Sequence, residues 1–198
     1  MSINASAQII LASASPRRRE LLAQIGMVAL VQAVDIDESQ NQGEPAIDYV
    51  QRLALEKAQT GLKIIENEQN LPVLGSDTIV ELDGMILGKP GDRNQAKEML
   101  QLLSGKKHTV HTSVAIVTYS GQFAATSSTQ VHFKVLEEQE IDSYLLTGEA
   151  DDKAGSYAIQ GRAAQFINNI NGSYSGVMGL PIYETVQLLK QSGINTFE

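Results

Sequence analysis

Apolar and polar positions alternate between two periods along this chain. A short apolar run, Gln8-Ile9-Ile10-Leu11-Ala12, reads as a buried strand and is followed by Leu21, Leu22 and Ile25 at helical spacing. A second apolar run, Val28 to Val34, follows. Pro45 then opens a helix expected to reach about Ile65. At 100° per residue, Ile47, Val50, Leu53, Ala54, Ile64 and Ile65 fall in one arc about 120° wide. Arg52, Glu56, Gln59 and Lys63 fall opposite, while Lys57 sits near the middle of the apolar arc. Such a lysine either snorkels to water or points into a polar site cut into the core, and a neighbouring anion site favours the second.

Val73 to Leu82 and Met85 to Pro90 flank Asp83-Gly84, a strong hairpin signal. With those two residues as the loop, Leu82 pairs with Met85 and Val80 with Leu87, and Lys89 falls opposite Thr78, one step from Asp77. Gly75 and Gly88 are expected to leave space beside that acid, hydroxyl and amine. A cross-strand salt bridge is the simpler alternative, but Gly-Ser-Asp-Thr interrupting a buried strand favours a site.

A helix over Asn94 to Leu103 turns Ala96, Met99, Leu100 and Leu103 inward and stops at Ser104-Gly105. Strands follow over Val110 to Tyr119 and Gln122 to Val135. The next helix is Glu137 to Leu146, with Ile141, Tyr144 and Leu145 inward. Glycines 155 and 161 suggest backbone pressed against a neighbour. Phe166-Ile167 reads as a short strand and Asn168 to Gly179 as a loop. Pro181 opens a last helix with Thr185, Leu188 and Leu189 inward, ending near Gly193.

The first strand turns into its helix through Ser13-Ala14-Ser15-Pro16-Arg17-Arg18-Arg19. Pro16 suits the first helical position and Ser15 the N-cap. Free N–H groups at such a start favour an anion. Three arginines there oppose the helix dipole, a local conflict of the kind found at functional sites. The stretch reads as a phosphate cradle or as a solvated basic turn. Val34-Asp35-Ile36-Asp37-Glu38 reads as a plain acidic loop or as a hard-cation ligand, since magnesium takes one or two carboxylates plus phosphates and waters. Gln160 carries an amide able to donate and accept, as base recognition requires, although loop packing would also explain it.

Composition narrows the partners. The 198 residues suit one large domain or two small lobes, and a net charge of −8 argues against steering nucleic acid. No run reaches the roughly 18 apolar residues of a membrane span. Met1 to Ala7 lacks the features of a signal peptide. The absence of cysteine removes thiolate chemistry and fits a cytoplasmic protein. His108 and His111, three apart in a strand, cannot face one metal, and His132 lacks a partner in sequence. All three histidines read as structural or exposed.

Several blocks in order resemble the Maf family of nucleoside triphosphate pyrophosphatases. They are Leu11-Ala12-Ser13-Ala14-Ser15-Pro16-Arg17-Arg18, Gly75-Ser76-Asp77-Thr78, Gly88-Lys89-Pro90, Asp152-Lys153-Ala154-Gly155-Ser156-Tyr157, Ile159-Gln160-Gly161, Gly172-Ser173-Tyr174 and Gly179-Leu180-Pro181. The resemblance implies one Maf-like α/β domain over residues 1–198. Its two lobes share an extended twisted mixed sheet and a central cleft, as in inosine triphosphate pyrophosphatases. It implies hydrolysis of a nucleoside triphosphate to the monophosphate and pyrophosphate, with Asp77 as proton acceptor.

By the same resemblance Ser13, Arg17, Arg18, Lys57 and Lys89 bind substrate, and the N-cap Ser15 is expected to join Ser13 in fixing the end of the phosphate chain. Glu38 and Asp77 hold a divalent cation, Mg2+ or Mn2+. Arg17, Thr78 and Gln160 resemble the branch acting on dTTP and UTP; the branch acting on 7-methylguanosine triphosphate usually has an aromatic residue in the place of Arg17 and lacks this Gln. Arg19 falls in a variable slot. Dimers are common among members, and modified nucleotides are an alternative substrate. Because the family is associated with septum inhibition, nucleotide binding without turnover in cell division is the rival reading.

Overall fold

The computed structural model describes residues 7–64 and 70–196. The expectations for Met1 to Ser6 and for Ile65 lie outside the described residues. Among the described residues the chain is mixed α/β, with seven strands in the order β2-β1-β3-β5-β6-β7 and β4 beside β3. In chain order these are β1 (Ile9–Leu11), β2 (Ala29–Val31), β3 (Val73–Leu82), β4 (Met85–Leu87), β5 (Lys107–Val117), β6 (Gln122–Phe133) and β7 (Ile167–Asn171). The helices are α1 (Pro16–Gln24), α2 (Ala46–Ile64), α3 (Arg93–Leu103), α4 (Glu138–Leu145), α5 (Tyr174–Met178) and α6 (Ile182–Gln191). β1 runs parallel to β2 and β3, whereas β3–β4 and β6–β7 are antiparallel.

The chain divides into two compact units. The first comprises Met1–Asp77, Thr112–Ser127 and Gly179–Glu198. Ile10, Ala12 and Val73 form one apolar cluster there, flanked by Leu30, Val34, Leu62 and Leu71. Ala54 and Ala58 of α2 pack with Ala115 and Val117 of β5 in another. α2 buries a face of small residues with one charge in it: Val50, Leu53, Ala54, Lys57, Ala58 and Gly61. Ile47 and Ile64, expected inward, are exposed instead. Their angle on the helix is right, but they stand in its first and last turns, away from the covered middle.

The second unit comprises Thr78–His111 and Ser128–Met178. One core holds Val80, Leu82, Leu87, Leu100, Leu103, Phe133, Ile141, Tyr144, Phe166 and their neighbours. The hairpin has the register read from sequence, Val80 with Leu87 and Leu82 with Met85. Asp83 and Gly84 both take positive φ, 52° and 82°, as a two-residue loop of the primed type needs. α4 starts at a capping box formed by Glu137 and Glu140. The short strand expected at Phe166-Ile167 is the start of β7, and the expected loop from Asn168 to Gly179 is instead the rest of β7 and then α5. β7 pairs with β6, and Ser173 holds the start of α5 by accepting from Gly176 N at 3.0 Å.

Glycines 155 and 161 do press against neighbours. A Cβ at Gly155 would lie 2.9 Å from Val80 Cγ2, and one at Gly161 would lie 2.1 Å from a Glu149 carboxylate oxygen. His108 and His111 are structural. His108 is buried with Nε2 2.8 Å from the Tyr157 hydroxyl, and His111 lies 2.8 Å from both Glu81 and Ser128. Burial pushes His108 down to about 4, with His132 adding to the effect.

Candidate active site

Four functional segments of the first unit converge because β1 and β3 lie side by side, parallel. The turn out of β1 enters α1 as its sequence demands. Ser15 caps the helix, Pro16 takes the first position, and the Ser13 hydroxyl accepts from Ser15 N at 3.2 Å. Ser13 Oγ also accepts from Arg18 Nη1 at 3.1 Å, and Arg18 Nε donates to the Gly179 carbonyl at 2.8 Å. Two fixed acceptors thus orient the Arg18 guanidinium. Burial lowers its pKa, while the negative charges of Asp77 and Glu38 act against that effect and the Arg17 charge adds to it. Burial likewise lowers the pKa of Arg17, with Glu20 opposing.

β3 carries the acid. Successive side chains alternate faces along a strand, so Gly75 and Asp77 share a face and Ser76 takes the other. On the first face lies α2. A Cβ at Gly75 would stand 2.2 Å from the Ala54 carbonyl oxygen and 2.6 Å from Ala58 N. The sequence led to an expectation of open space at Gly75; instead that space is filled by the backbone of α2. Gly88 does leave space, with nothing within 4 Å of a Cβ there. The close approach at Gly75 brings Lys57, which lies between those two alanines in the helix, onto Asp77.

Lys57 Nζ lies 2.6 Å from Asp77 Oδ1 and 2.6 Å from Glu38 Oε1. The Lys57 side chain is 10% exposed and that of Asp77 11%, against 46% for Glu38. Lys57 points into a polar site and does not snorkel. The two carboxylates are hard oxygen donors already directed at one cationic centre. Among the described residues no group of three or more His, Cys, Asp or Glu forms a metal cluster. A pair of carboxylates is the partial donor set that magnesium or manganese completes with phosphate oxygens and water.

Ser76, Gly179, Tyr49 and Arg52 escaped the sequence reading as structural parts of this site. The Ser76 hydroxyl, fully buried, lies 3.0 Å from the Gly179 carbonyl that also holds Arg18, and 2.8 Å from the Ser113 carbonyl. Gly179 takes φ 113°, which a side chain would resist. Their one signal was membership of the matching blocks. Tyr49 and Arg52 hold the acidic loop, and nothing in local sequence announces that.

Thr78, Lys89 and Gln160 belong to the second unit. Thr78 is half-buried; Lys89 and Gln160 are exposed. The β3–β4 ladder ends at Leu87, so Lys89 is not a ladder partner of Thr78. The chain leaves β3 there because the Gly88 carbonyl accepts from Gly155 N at 3.1 Å.

A family model described as Maf-like protein matches residues 8–192. The chain is 52% identical over 194 residues to the dTTP/UTP pyrophosphatase of Colwellia psychrerythraea, covering 97% of this chain and 92% of that protein. It is 53% identical over 187 residues to the dTTP/UTP pyrophosphatase of Aliivibrio fischeri, covering 93% and 98%. The enzyme of that name from Nitrosospira multiformis is 49% identical over 201 residues, covering 96% and 97%. Among solved structures, the Ham1 protein of Staphylococcus aureus superposes with a TM-score of 0.46 at 10% identity, covering 93% of this chain and 96% of that one. The matched segment begins one residue before β1 and ends one residue after α6, and the chain belongs to the Maf family.

Proposed function

We propose that this chain is a nucleoside triphosphate pyrophosphatase that hydrolyses dTTP and UTP to the monophosphate and pyrophosphate. The carrying observation is the Lys57 ammonium held 2.6 Å from both Asp77 and Glu38, with Arg18 in the field of the same carboxylates. The names and high identity of the relatives support the same reading and the choice of pyrimidine substrates.

The reaction needs little covalent help from the protein; positioning and charge stabilisation dominate. Asp77 orients a water toward the α-phosphorus and accepts its proton as the new P–O bond forms. The bond from the α-phosphorus to the bridging oxygen breaks, and the electron pair leaves with pyrophosphate. Arg17 and Arg18 grip phosphate oxygens through bidentate hydrogen bonds, for which the two anchors on Arg18 set the plane. Ser13 and Ser15 fix the turn that carries them. Lys57, the counter-ion of both carboxylates, and Lys89 add positive charge for the triphosphate. A divalent cation, Mg2+ or Mn2+, would be held by Glu38 and Asp77 and would supply phosphate neutralisation and a lowered water pKa. Thr78, Gln160 and Arg17 read the base and set the room for it.

Asp77→Asn tests the assignment. It keeps the shape and removes the proton acceptor, so pyrophosphate release should fall at least about 1000-fold, as with loss of other essential acid–base groups. Nucleotide binding, followed by calorimetry, should persist. Near-normal turnover in this variant would take the role of base from Asp77, and binding without any turnover in the wild type would favour a sensor over an enzyme.

A further inference from the structure

We propose that Tyr49 and Arg52 are positioning residues that clamp the two successive backbone carbonyls of Glu38 and Ser39 and so aim Glu38 for cation binding. The proposal rests on the reading of Glu38 as a cation ligand. Glu38 stands on an irregular segment between β2 and α2, and its side chain is the most exposed of the ionic trio. A carboxylate on such a segment has no regular structure to hold it. Yet two successive carbonyls are fixed there. Tyr49 Oη donates to the Glu38 carbonyl at 2.6 Å, and Arg52 Nη2 donates to the Ser39 carbonyl at 3.0 Å.

Arg52 is itself locked. Its Nε and Nη2 donate to the two oxygens of Glu44 at 2.7 and 2.8 Å, a bidentate pair, and its guanidinium lies 5.6 Å from the centre of the Tyr49 ring. Glu44 closes the loop from its far end, accepting from Asn41 N at 3.0 Å, while its carbonyl accepts from Gln40 Nε2 at 2.7 Å. Tyr49 and Arg52 are three residues apart on α2, and Lys57 follows on the same helix. One rigid element therefore carries both the clamp on Glu38 and its ionic partner. Neither side chain need touch substrate; each acts through Glu38, as outer partners of metal ligands do.

The test is Mn2+ binding, read by electron paramagnetic resonance, with a non-hydrolysable α,β-methylene analogue of dTTP present. Tyr49→Phe and Arg52→Gln should each weaken Mn2+ about 10- to 100-fold, the usual effect of losing an outer partner. Turnover at saturating Mn2+ should stay within about threefold of wild type, which separates positioning from direct catalysis. Arg52→Lys, which keeps the charge but not the fork, should not restore affinity. Unchanged Mn2+ affinity in Tyr49→Phe and Arg52→Gln would overturn the proposal, whatever happens to thermal stability. Should a helix variant fail to fold, Glu44→Gln loosens the clamp from the loop side and must show the same weakening, or the proposal falls. A wild type that binds Mn2+ with the analogue yet releases no pyrophosphate from dTTP would refute the enzymatic reading while leaving this measurement decisive for the clamp.

Discussion

Replacing Gly75 by alanine perturbs the site without touching any group that performs chemistry. The added Cβ would stand 2.2 Å from the Ala54 carbonyl oxygen, 2.6 Å from Ala58 N and 3.1 Å from Ala58 Cβ. Two of these are backbone atoms and cannot rotate away, so α2 must retreat on the order of 1 Å to restore ordinary contact. Overpacking of this kind costs about 1–3 kcal/mol. For a chain of this size that is a fall in Tm of about 2–12 °C. Lys57 lies between those alanines and meets Asp77 at 2.6 Å, so the same retreat pulls the ammonium from the carboxylate. A misplacement of about 1 Å in a catalytic constellation can cost about 100-fold.

The assay is pyrophosphate release from dTTP beside a thermal melt. Gly121→Ala serves as control, because its Cβ would find only Phe123 at 3.9 Å. Gly75→Ala should fold, melt lower and lose about 100-fold in kcat/KM, while the control keeps wild-type values. A Gly75→Ala protein with wild-type melting and activity would refute the link between helix approach and site geometry.

Further outcomes follow from the same structure. Arg18→Lys loses the paired anchors on Ser13 and Gly179, and charged hydrogen bonds of about 1.5–3 kcal/mol predict a fall of about 10- to 100-fold in kcat/KM for dTTP, measured by steady-state kinetics. The His108 pKa is about 4 in the fold against an ordinary 6.5, so below pH 6.5 the unfolded chain takes a proton that the folded chain refuses. Stability should therefore fall by up to about 3 kcal/mol between pH 6.5 and 4, and His108→Gln should flatten that slope in denaturant titrations. Glu44 behaves as a depressed carboxyl, near 2 because of Arg52. Its contribution is present above the ordinary carboxylate range and is lost as pH falls toward 2, so Glu44→Gln should reduce the acid sensitivity of unfolding in that window.

Much of this architecture was legible because local chemistry specified it. Asp83-Gly84 has few alternatives to a tight hairpin loop, and with that loop the pairing of Val80 and Leu87 followed. Ser15-Pro16 defined the start of α1. A lysine in the middle of the α2 apolar arc, next to an expected anion site, pointed to a polar site cut into the core, and the inward residues of α3, α4 and α6 followed from periodicity. The misreadings were tertiary. A glycine beside a polar motif looks the same whether it leaves a gap or admits a helix, and only the packing of α2 decides for Gly75. Helix phase said nothing about where coverage stops, so Ile47 and Ile64 were placed inward. Arg52 looked like part of a solvated face and Tyr49 carried no local signal, because their partners are carbonyls of a loop outside the helix. The rest of β7 after Ile167, and all of α5, were read as loop because their short runs of Asn, Gly and Ser lack the usual strand or helix signal.

The central claim is that the acid on β3, working beside the cations of α1 and α2, directs water at the α-phosphorus of a pyrimidine nucleoside triphosphate. Turnover of dTTP with Mg2+ in 18O-labelled water, with products resolved by mass, tests it most directly. The account predicts dTMP carrying one 18O atom together with unlabelled pyrophosphate. Formation of dTDP and phosphate, or label in pyrophosphate in place of dTMP, would contradict it.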